Sequence, residues 1–191
     1  MKTISLNGRW QGLCRYPSGE SFRFDGSVPG SAVQDLIECE KLPRDLFWGK
    51  NADTVPAFER CDFIYTKDFS FEGDPARTSL HFERLDTYCD IYLNGEKIHH
   101  GENGNHAHEI DSRAALRRGE NHLEVRLYSP VEWVKDLPLR EGAFTRDRMY
   151  TRRMQCTYGW DWVARFVTVS IGNAICASWR RMSFGPTTSI S

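Results

Sequence analysis

The stretch from residue 82 to residue 95 reads FERLDTYCDIYLNG and decides the fold. In its second half Cys89, Ile91 and Leu93 alternate with Tyr88, Asp90 and Tyr92. Such alternation is typical of a β-strand with one buried face, because successive side chains point to opposite sides. The pair Asn94-Gly95 tolerates the positive φ angles of a tight hairpin turn. The stretch therefore predicts a strand that turns back into an antiparallel partner.

The same pattern recurs along the chain. Leu80 and Phe82 share one face of a short run, and Leu123, Val125 and Leu127 alternate with polar residues after the turn cluster at 118–121. Repeated short strands separated by turns predict an all-β chain folded as an antiparallel β-sandwich.

One short helix interrupts the strand patterns. Ser31 and Gln34 have the spacing of a capping box, and apolar residues follow at helical intervals until Pro43. No internal repeat or linker divides the chain, so one domain is predicted. Trp10 and Trp133 are both expected to fill the core.

Composition excludes two classes of partner. The chain has 25 basic and 26 acidic residues, for a formal net charge of −1, so nothing favours nucleic-acid binding. The longest mostly apolar stretch, 166–179, is too short for a membrane-spanning helix. The start of the chain, MKTIS, has no apolar signal core. A cytoplasmic protein is expected, with a periplasmic or secreted protein whose leader was removed as the alternative.

The cysteines show no metal or redox spacing. There are 6, none in a C-x-x-C arrangement. Cys89 and Cys176 lie in apolar, strand-like runs, which favours buried free thiols. Three disulfides stay open as the alternative.

The histidine-rich stretch at 99–109 is a candidate metal-binding segment. On a strand, His106 and His108 would point to the same side and could share an ion, but a third ligand is undefined and Glu109 would face away. A polar hairpin loop is the preferred interpretation. No metal site, no cofactor and no catalytic residue is predicted, since no nucleotide or nucleophile fingerprint occurs and no carboxylate pair stands out.

The most unusual segment contains Trp160, Asp161 and Trp162. An indole face suits the apolar ring hydrogens of a sugar, and a carboxylate accepts hydrogen bonds from hydroxyl groups. Gly159 indicates a bend, which favours a presented loop. In the alternative interpretation one tryptophan fills the core and Asp161 pairs with a nearby arginine.

Several segments together resemble the sugar-binding domain of glycoside hydrolase family 2, and the last of them is similar to its β-mannosidase-like branch. The resemblance runs from Leu6 to about Val169. The segments are 6–10 (LNGRW), 28–36 (VPGSAVQDL), 42–51 (LPRDLFWGKN), 82–95 and 159–162 (GWDW).

The resemblance implies a jelly-roll, galactose-binding-like β-sandwich that packs against a catalytic (β/α)8 barrel. The family's acid/base lies in an Asn-Glu dipeptide on that barrel, and this chain has no such dipeptide. The resemblance therefore implies that this chain is a non-catalytic domain. In such a domain Trp160, Asp161 and Trp162 would help to hold a β-mannoside. The partners implied are that carbohydrate and the barrel, and a domain without its barrel is expected to self-associate. The alternative is a free-standing carbohydrate-binding module.

The chain departs from the family pattern in three places, and in one of them Arg84 replaces the glycine before Leu-Asp-Thr. Val163-Ala164-Arg165 replaces the usual Gly-Pro-Arg, and the family's closing Gly-Ile-Trp-Arg strand is missing after Val169. The predicted division is a sugar-binding sandwich at 1–170 and a divergent strand and tail at 171–191.

Overall fold

The structure is a computed structural model that describes residues 3–178 of the chain. The helices are α1 (Ala32–Glu38), α2 (Pro130–Trp133) and α3 (Arg146–Tyr150), with 3₁₀ turns at Asn51–Phe58, Pro75–Arg77 and Gln155–Tyr158. The strands are β1 (Thr3–Ser5), β2 (Gly8–Arg15), β3 (Ser21–Val28), β4 (Gly30–Ser31), β5 (Asp62–Phe71), β6 (Thr78–Phe82), β7 (Leu85–Asp86), β8 (Tyr88–Leu93), β9 (Glu96–Gly101), β10 (His108–Asp111), β11 (Gly119–Tyr128), β12 (Ser170–Ile171) and β13 (Ala174–Ser178).

These strands form two main sheets and one small one. The six-stranded sheet has the order β3-β2-β5-β11-β8-β9, the four-stranded sheet β1-β13-β6-β10, and the three-stranded sheet β4-β12-β7. The strand pairs that build them are antiparallel. Buried side chains from both large sheets, Phe63 and Leu80 among them, belong to one continuous core. The predicted antiparallel β-sandwich is confirmed.

The second half of the stretch quoted first forms β8, which lies next to the edge strand β9 of the six-stranded sheet. Strand β8 pairs with β11 on one side and β9 on the other. Asn94 (φ 54°) and Gly95 (φ 86°) make the predicted turn. The Asn94 side chain donates to the carbonyl of Ala115 at 2.8 Å and accepts from the His122 amide at 2.9 Å. These two hydrogen bonds stabilise the turn, and Asn94 supplies both them and the positive φ angle that the turn needs.

Helix α1 begins as predicted, because the Ser31 hydroxyl accepts from the Gln34 amide at 3.4 Å. It ends at Glu38, earlier than Pro43, where Glu40 adopts a left-handed φ of 60°. Its buried Asp35 accepts from the Tyr65 hydroxyl at 2.7 Å and the Ser27 amide at 3.0 Å. Burial nevertheless raises the pKa of Asp35 to about 6. The helix is thus fixed to the sheet through one carboxyl group.

Two further short helices were missing from the prediction of one helix. Helix α2 begins after Ser129, whose hydroxyl accepts from the amides of Val131 and Glu132, and α3 begins after Thr145. These helices contain 4 and 5 residues. A single turn is too short to show helical periodicity in the sequence.

Strand β13 continues the sandwich beyond the predicted boundary at residue 170. It lies between β1 and β6 in the four-stranded sheet. Buried Ala174 and Cys176 belong to the core cluster. Residues through 178 therefore take part in the sandwich, and the rest of the predicted tail, 179–191, lies outside the described residues.

The two tryptophans expected in the core have different environments. Trp10 is buried, and its indole donates to the carbonyl of Leu6 at 2.8 Å. The prediction for Trp133 is wrong, because it is 43% exposed. Its indole stacks on Tyr88 with centroids 4.9 Å apart, on the side of the sheet opposite buried Cys89. Helix α2 carries Trp133 over that outer face.

The cysteines in the described part of the chain are free thiols. Cys89 and Cys176 are buried as expected, whereas Cys156 is exposed. Within residues 3–178, no helix is long and apolar enough to cross a membrane.

Candidate functional site

Residues 159–163, here called the Trp loop, form a tight hairpin turn. The Trp160 amide donates to the Val163 carbonyl at 3.1 Å, and the Val163 amide donates back to the Trp160 carbonyl at 3.2 Å. Asp161 and Trp162 therefore occupy the tip. The bend predicted at Gly159 is present, because this residue has a φ of 83°. A Cβ at this position would lie 3.2 Å from the Val163 carbonyl oxygen.

The side chains of the Trp loop point into solvent. Trp160 is 48% exposed and Trp162 is 80% exposed, and Asp161 is exposed as well. The two indoles stack with centroids 5.8 Å apart and planes inclined by 9°. This geometry excludes the interpretation in which a tryptophan of this segment fills the core. It leaves a broad aromatic surface beside one carboxylate.

Two side chains from the α3 region support the aromatic surface. The Arg148 guanidinium lies 5.1 Å from the Trp160 ring centroid and 5.2 Å from that of Phe144. Among residues 3–178, Asp161 forms no ion pair, so the predicted alternative of an arginine partner for it is wrong. The arginine beside the loop contacts the ring rather than the carboxylate.

Beneath the Trp loop, Arg165 joins two buried carboxylates. Its Nε lies 2.9 Å from both oxygens of Glu59, and its Nη2 lies 2.5 Å from Oδ2 of Asp147. Burial raises the pKa of Glu59 although Arg165 counteracts it. For Asp147, burial is outweighed by hydrogen bonds from Thr145 and Arg165, so its pKa is lowered. One guanidinium thus connects the loop to the 3₁₀ turn at Asn51–Phe58 and to α3.

A second buried ion pair ties the segment before the loop to the sheet. Arg153 is 4% exposed, and its Nη2 donates to Asp86 at 2.9 Å and to the Thr168 carbonyl at 2.6 Å. Its Nε and Nη1 are buried with no hydrogen-bond partner among the described residues. Tyr158, whose hydroxyl donates to the Asp147 carbonyl at 2.8 Å, lies between the two arginines.

Exposed aromatic residues from a second turn lie on the same side of the molecule. Phe47 packs edge-on against Phe166 with centroids 5.6 Å apart, and the Phe166 amide donates to the Thr157 carbonyl just before the Trp loop. Phe47 is 74% exposed and Trp48 is 75% exposed. Both residues lie within the segment 42–51 that resembles the family, but the sequence predicts no role for them. Their adjacency to the loop depends on contacts between distant segments.

The histidines do not form a metal site. In the described part of the chain, no group of three or more potential ligands is placed to hold an ion. His99 and His100 lie on β9 and His108 on β10, so only the residues between these strands form the predicted polar loop. Nε2 of His108 lies 3.2 Å from the Asn103 carbonyl and must donate to it, which leaves Nδ1 to accept from His99 at 3.0 Å. The His108 ring is therefore neutral in this arrangement.

This histidine pair is expected to make the fold sensitive to acid. Burial and the neighbouring histidines lower the pKa of His108 in the folded protein from 6.5 to about 4. The unfolded chain therefore binds a proton at higher pH than the folded chain does, and the stability present above pH 6.5 is lost as the pH falls from 6.5 toward 4. The loss is at most about 3 kcal/mol. Urea unfolding measured at several pH values should show it, and His108→Gln should flatten the curve. Identical pH dependence in the variant would contradict the prediction.

One groove lies away from the Trp loop. Its volume is about 560 Å³, and its lining residues are Gly30, Ser31, Glu83, Arg84, Gly104, Asn105, His106, Ala107, Ser170, Ile171 and Gly172. No tryptophan, tyrosine or phenylalanine lines this groove. The Trp loop carries the stronger functional signal, because it combines an open aromatic surface with an unpaired carboxylate.

Comparison with known proteins identifies the domain. A family model described as glycosyl hydrolase 2 galactose-binding domain-like matches residues 14–173. The chain belongs to this family. The predicted galactose-binding-like sandwich and the resemblance to glycoside hydrolase family 2 are thereby confirmed, and the Trp loop lies inside the matched range.

Individual relatives place this galactose-binding-like domain in the β-mannosidase-like branch. A probable β-mannosidase of Caenorhabditis elegans is 24% identical over 90% of this chain and 21% of its own length. β-Mannosidase B of Aspergillus terreus is 30% identical over 81% of this chain and 19% of its own length. The crystal structure of β-D-mannosidase from Dictyoglomus thermophilum superimposes with a TM-score of 0.79 at 33% identity, over 94% of this chain and 23% of that chain. The chain thus spans about a fifth of the length of these relatives.

Proposed function

We propose that this galactose-binding-like domain is the non-catalytic sugar-contacting part of a β-mannosidase-like retaining hydrolase. In this role Trp160, Asp161 and Trp162 reach into an active site whose catalytic carboxylates lie on a separate (β/α)8 barrel. The observation that carries the proposal is the unpaired Asp161, presented between two exposed and stacked indoles.

The chemistry of the Trp loop fits recognition of a terminal sugar. An indole packs against the apolar face of a pyranose ring, and an ionised carboxylate accepts hydrogen bonds from two adjacent hydroxyls. Asp161 has no competing cation among residues 3–178. Because Arg165 and Gly159 fix the base of the loop, the sugar would meet a preorganised surface.

The exposed aromatic residues support a partner for this side of the domain. Phe47, Trp48 and Phe144 are each at least 74% exposed. Exposed apolar clusters of this kind mark interaction surfaces in soluble proteins. Relatives named β-mannosidase are about five times longer than the matched region, and their additional length is where we place the barrel. The barrel would cover these rings and complete the sugar site.

The proposal predicts weak but specific contact between the chain alone and a β-mannoside. In ¹⁵N-labelled protein titrated with methyl β-D-mannopyranoside, the indole N–H signals of Trp160 and Trp162 should shift without saturating below millimolar sugar. Asp161→Ala should abolish these shifts, because the carboxylate supplies the directional hydrogen bonds. The chain should not hydrolyse aryl β-mannosides.

Asp53→Ala is the matched control, since Asp53 is exposed and lies in the 3₁₀ turn, outside the Trp loop. Its titration should resemble that of the unmodified chain. Shifts that persist in Asp161→Ala, or that never occur, would contradict the proposed role of the loop. Saturable binding at submillimolar sugar by calorimetry would instead favour the alternative, a free-standing carbohydrate-binding module.

A further inference from the structure

Among the described residues, two aromatic rings hold the side chain of Arg148 beside the Trp loop. Arg148 lies on α3, is half-buried, and its guanidinium lies within 5.2 Å of two ring centroids, those of Trp160 and Phe144. Cation–π contacts restrict a guanidinium to a small region without occupying its N–H donors. The position of this charge is therefore set while its hydrogen-bonding groups stay available.

No carboxylate within residues 3–178 pairs with the side chain of Arg148. Two other arginines of this segment behave differently: Arg153 contacts Asp86, and Arg146 donates to the carbonyl of Leu137 at 2.7 Å. Arg152 is exposed and, like Arg148, has no side-chain ion pair among the described residues, but it lies beside no aromatic ring there. Asp161 and Arg148 both flank Trp160, yet they do not neutralise each other. The site thus presents an unpaired carboxylate and an unpaired guanidinium around one indole.

We propose that Arg148 makes the Trp loop selective for a sugar that carries a carboxylate, a uronate residue of a mannose-configured chain. This inference rests on the proposed function, since it assumes that the loop contacts sugar. The planar guanidinium can donate two parallel N–H bonds to a carboxylate, a geometry that a neutral hydroxyl cannot match. The hydroxyls would lie at Asp161 and the anionic group at Arg148.

Charge separation supports this division of roles. Asp161 repels a carboxylate placed on its own side of Trp160, so an anionic substituent is favoured only at the Arg148 side. A partly buried guanidinium without a counter-charge is costly to desolvate, and an incoming carboxylate supplies that counter-charge. A sugar that contacts the exposed part of Trp160 lies near both groups, because Arg148 lies 5.1 Å from the ring centroid and Asp161 is the next residue in the chain.

Two matched glycosides test the inference. The ¹⁵N-labelled chain is titrated with methyl β-D-mannosiduronate and with methyl β-D-mannopyranoside at equal ionic strength, and the indole N–H signal of Trp160 is followed. The uronate should bind at least about fivefold more tightly, as an accessible charge-assisted pair allows. Arg148→Gln should reduce the two affinities to equality, and added salt should weaken only the preference for the uronate.

Arg140→Gln is the control variant, because Arg140 is an exposed arginine in the segment before α3 whose side chain forms no hydrogen bond or ion pair with a described residue. It should keep the preference. Equal affinities in the unmodified chain, or a preference that survives Arg148→Gln, would overturn the inference. If the neutral glycoside still requires Asp161 in that case, the proposed function stands without it. Inorganic phosphate that binds as tightly as the uronate would also overturn it, because the site would then read charge without sugar.

Discussion

Replacing Arg165 with methionine is expected to lower the free energy of unfolding by about 3–5 kcal/mol, because two buried carboxylates lose their shared counter-charge. Glu59 is 7% exposed and Asp147 is 4% exposed, and Arg165 is the cation that contacts both. With it removed, either carboxyl group must be protonated or hydrated, and the packing around Tyr158 must open. The variant should therefore also loosen the Trp loop.

Urea unfolding measures the first effect, and iodide quenching of tryptophan fluorescence measures the second. Arg60→Met is the control, because Arg60 forms an exposed pair with Glu132, and losing it should cost less than about 1 kcal/mol. Adding Glu59→Gln and Asp147→Asn to Arg165→Met should recover part of the loss. Equal stability of Arg165→Met and Arg60→Met would show that the buried network contributes nothing beyond a surface pair.

The second large effect is expected at Arg153. Methionine there leaves Asp86 as an uncompensated buried carboxylate, and the expected loss is again about 3–5 kcal/mol. Lysine should behave very differently. Only Nη2 of Arg153 has hydrogen-bond partners, whereas buried Nε and Nη1 have none among the described residues. A lysine ammonium could contact Asp86 and the Thr168 carbonyl without carrying those two unsatisfied donors, each of which costs roughly 1–3 kcal/mol.

Arg153→Lys is therefore expected to be within about 1 kcal/mol of the unmodified chain. Comparing the free energies of unfolding of Arg153→Lys and Arg153→Met distinguishes the effect of the positive charge from the effect of the guanidinium shape. If lysine is as damaging as methionine, the guanidinium itself is required, and its free nitrogens must be satisfied by something else, such as bound water.

Arg153 and Arg165 explain why the base of the exposed Trp loop is rigid. Arg153 fixes the segment before the loop to β7 through Asp86, and Arg165 fixes the segment after it to α3 through Asp147. Tyr158 packs between them. The tip can then expose two indoles without collapsing onto the core.

Local sequence patterns predicted much of the fold. Alternation in β8 and β11 and the Asn94-Gly95 turn predicted strands that pair as expected, because side-chain alternation and positive φ are properties of a few adjacent residues. The exposure of the Trp loop was likewise predictable from Gly159. The helices α2 and α3 were not, since a single capped turn leaves no periodic signal.

By itself the sequence determined the sandwich, its family and the loop that carries Trp160, Asp161 and Trp162. Only the tertiary structure decided which charges meet. Arg165 lies 106 residues from Glu59 and 18 from Asp147, whereas Arg148 lies against a ring and pairs with no described carboxylate. Arg165 and Arg148 are both partly buried, and what separates their roles is the burial of the groups that they contact: Glu59 and Asp147 are buried, whereas Trp160 is exposed. In the interior an ion must find a partner from a distant strand or turn, while at the surface it can stay available to a ligand.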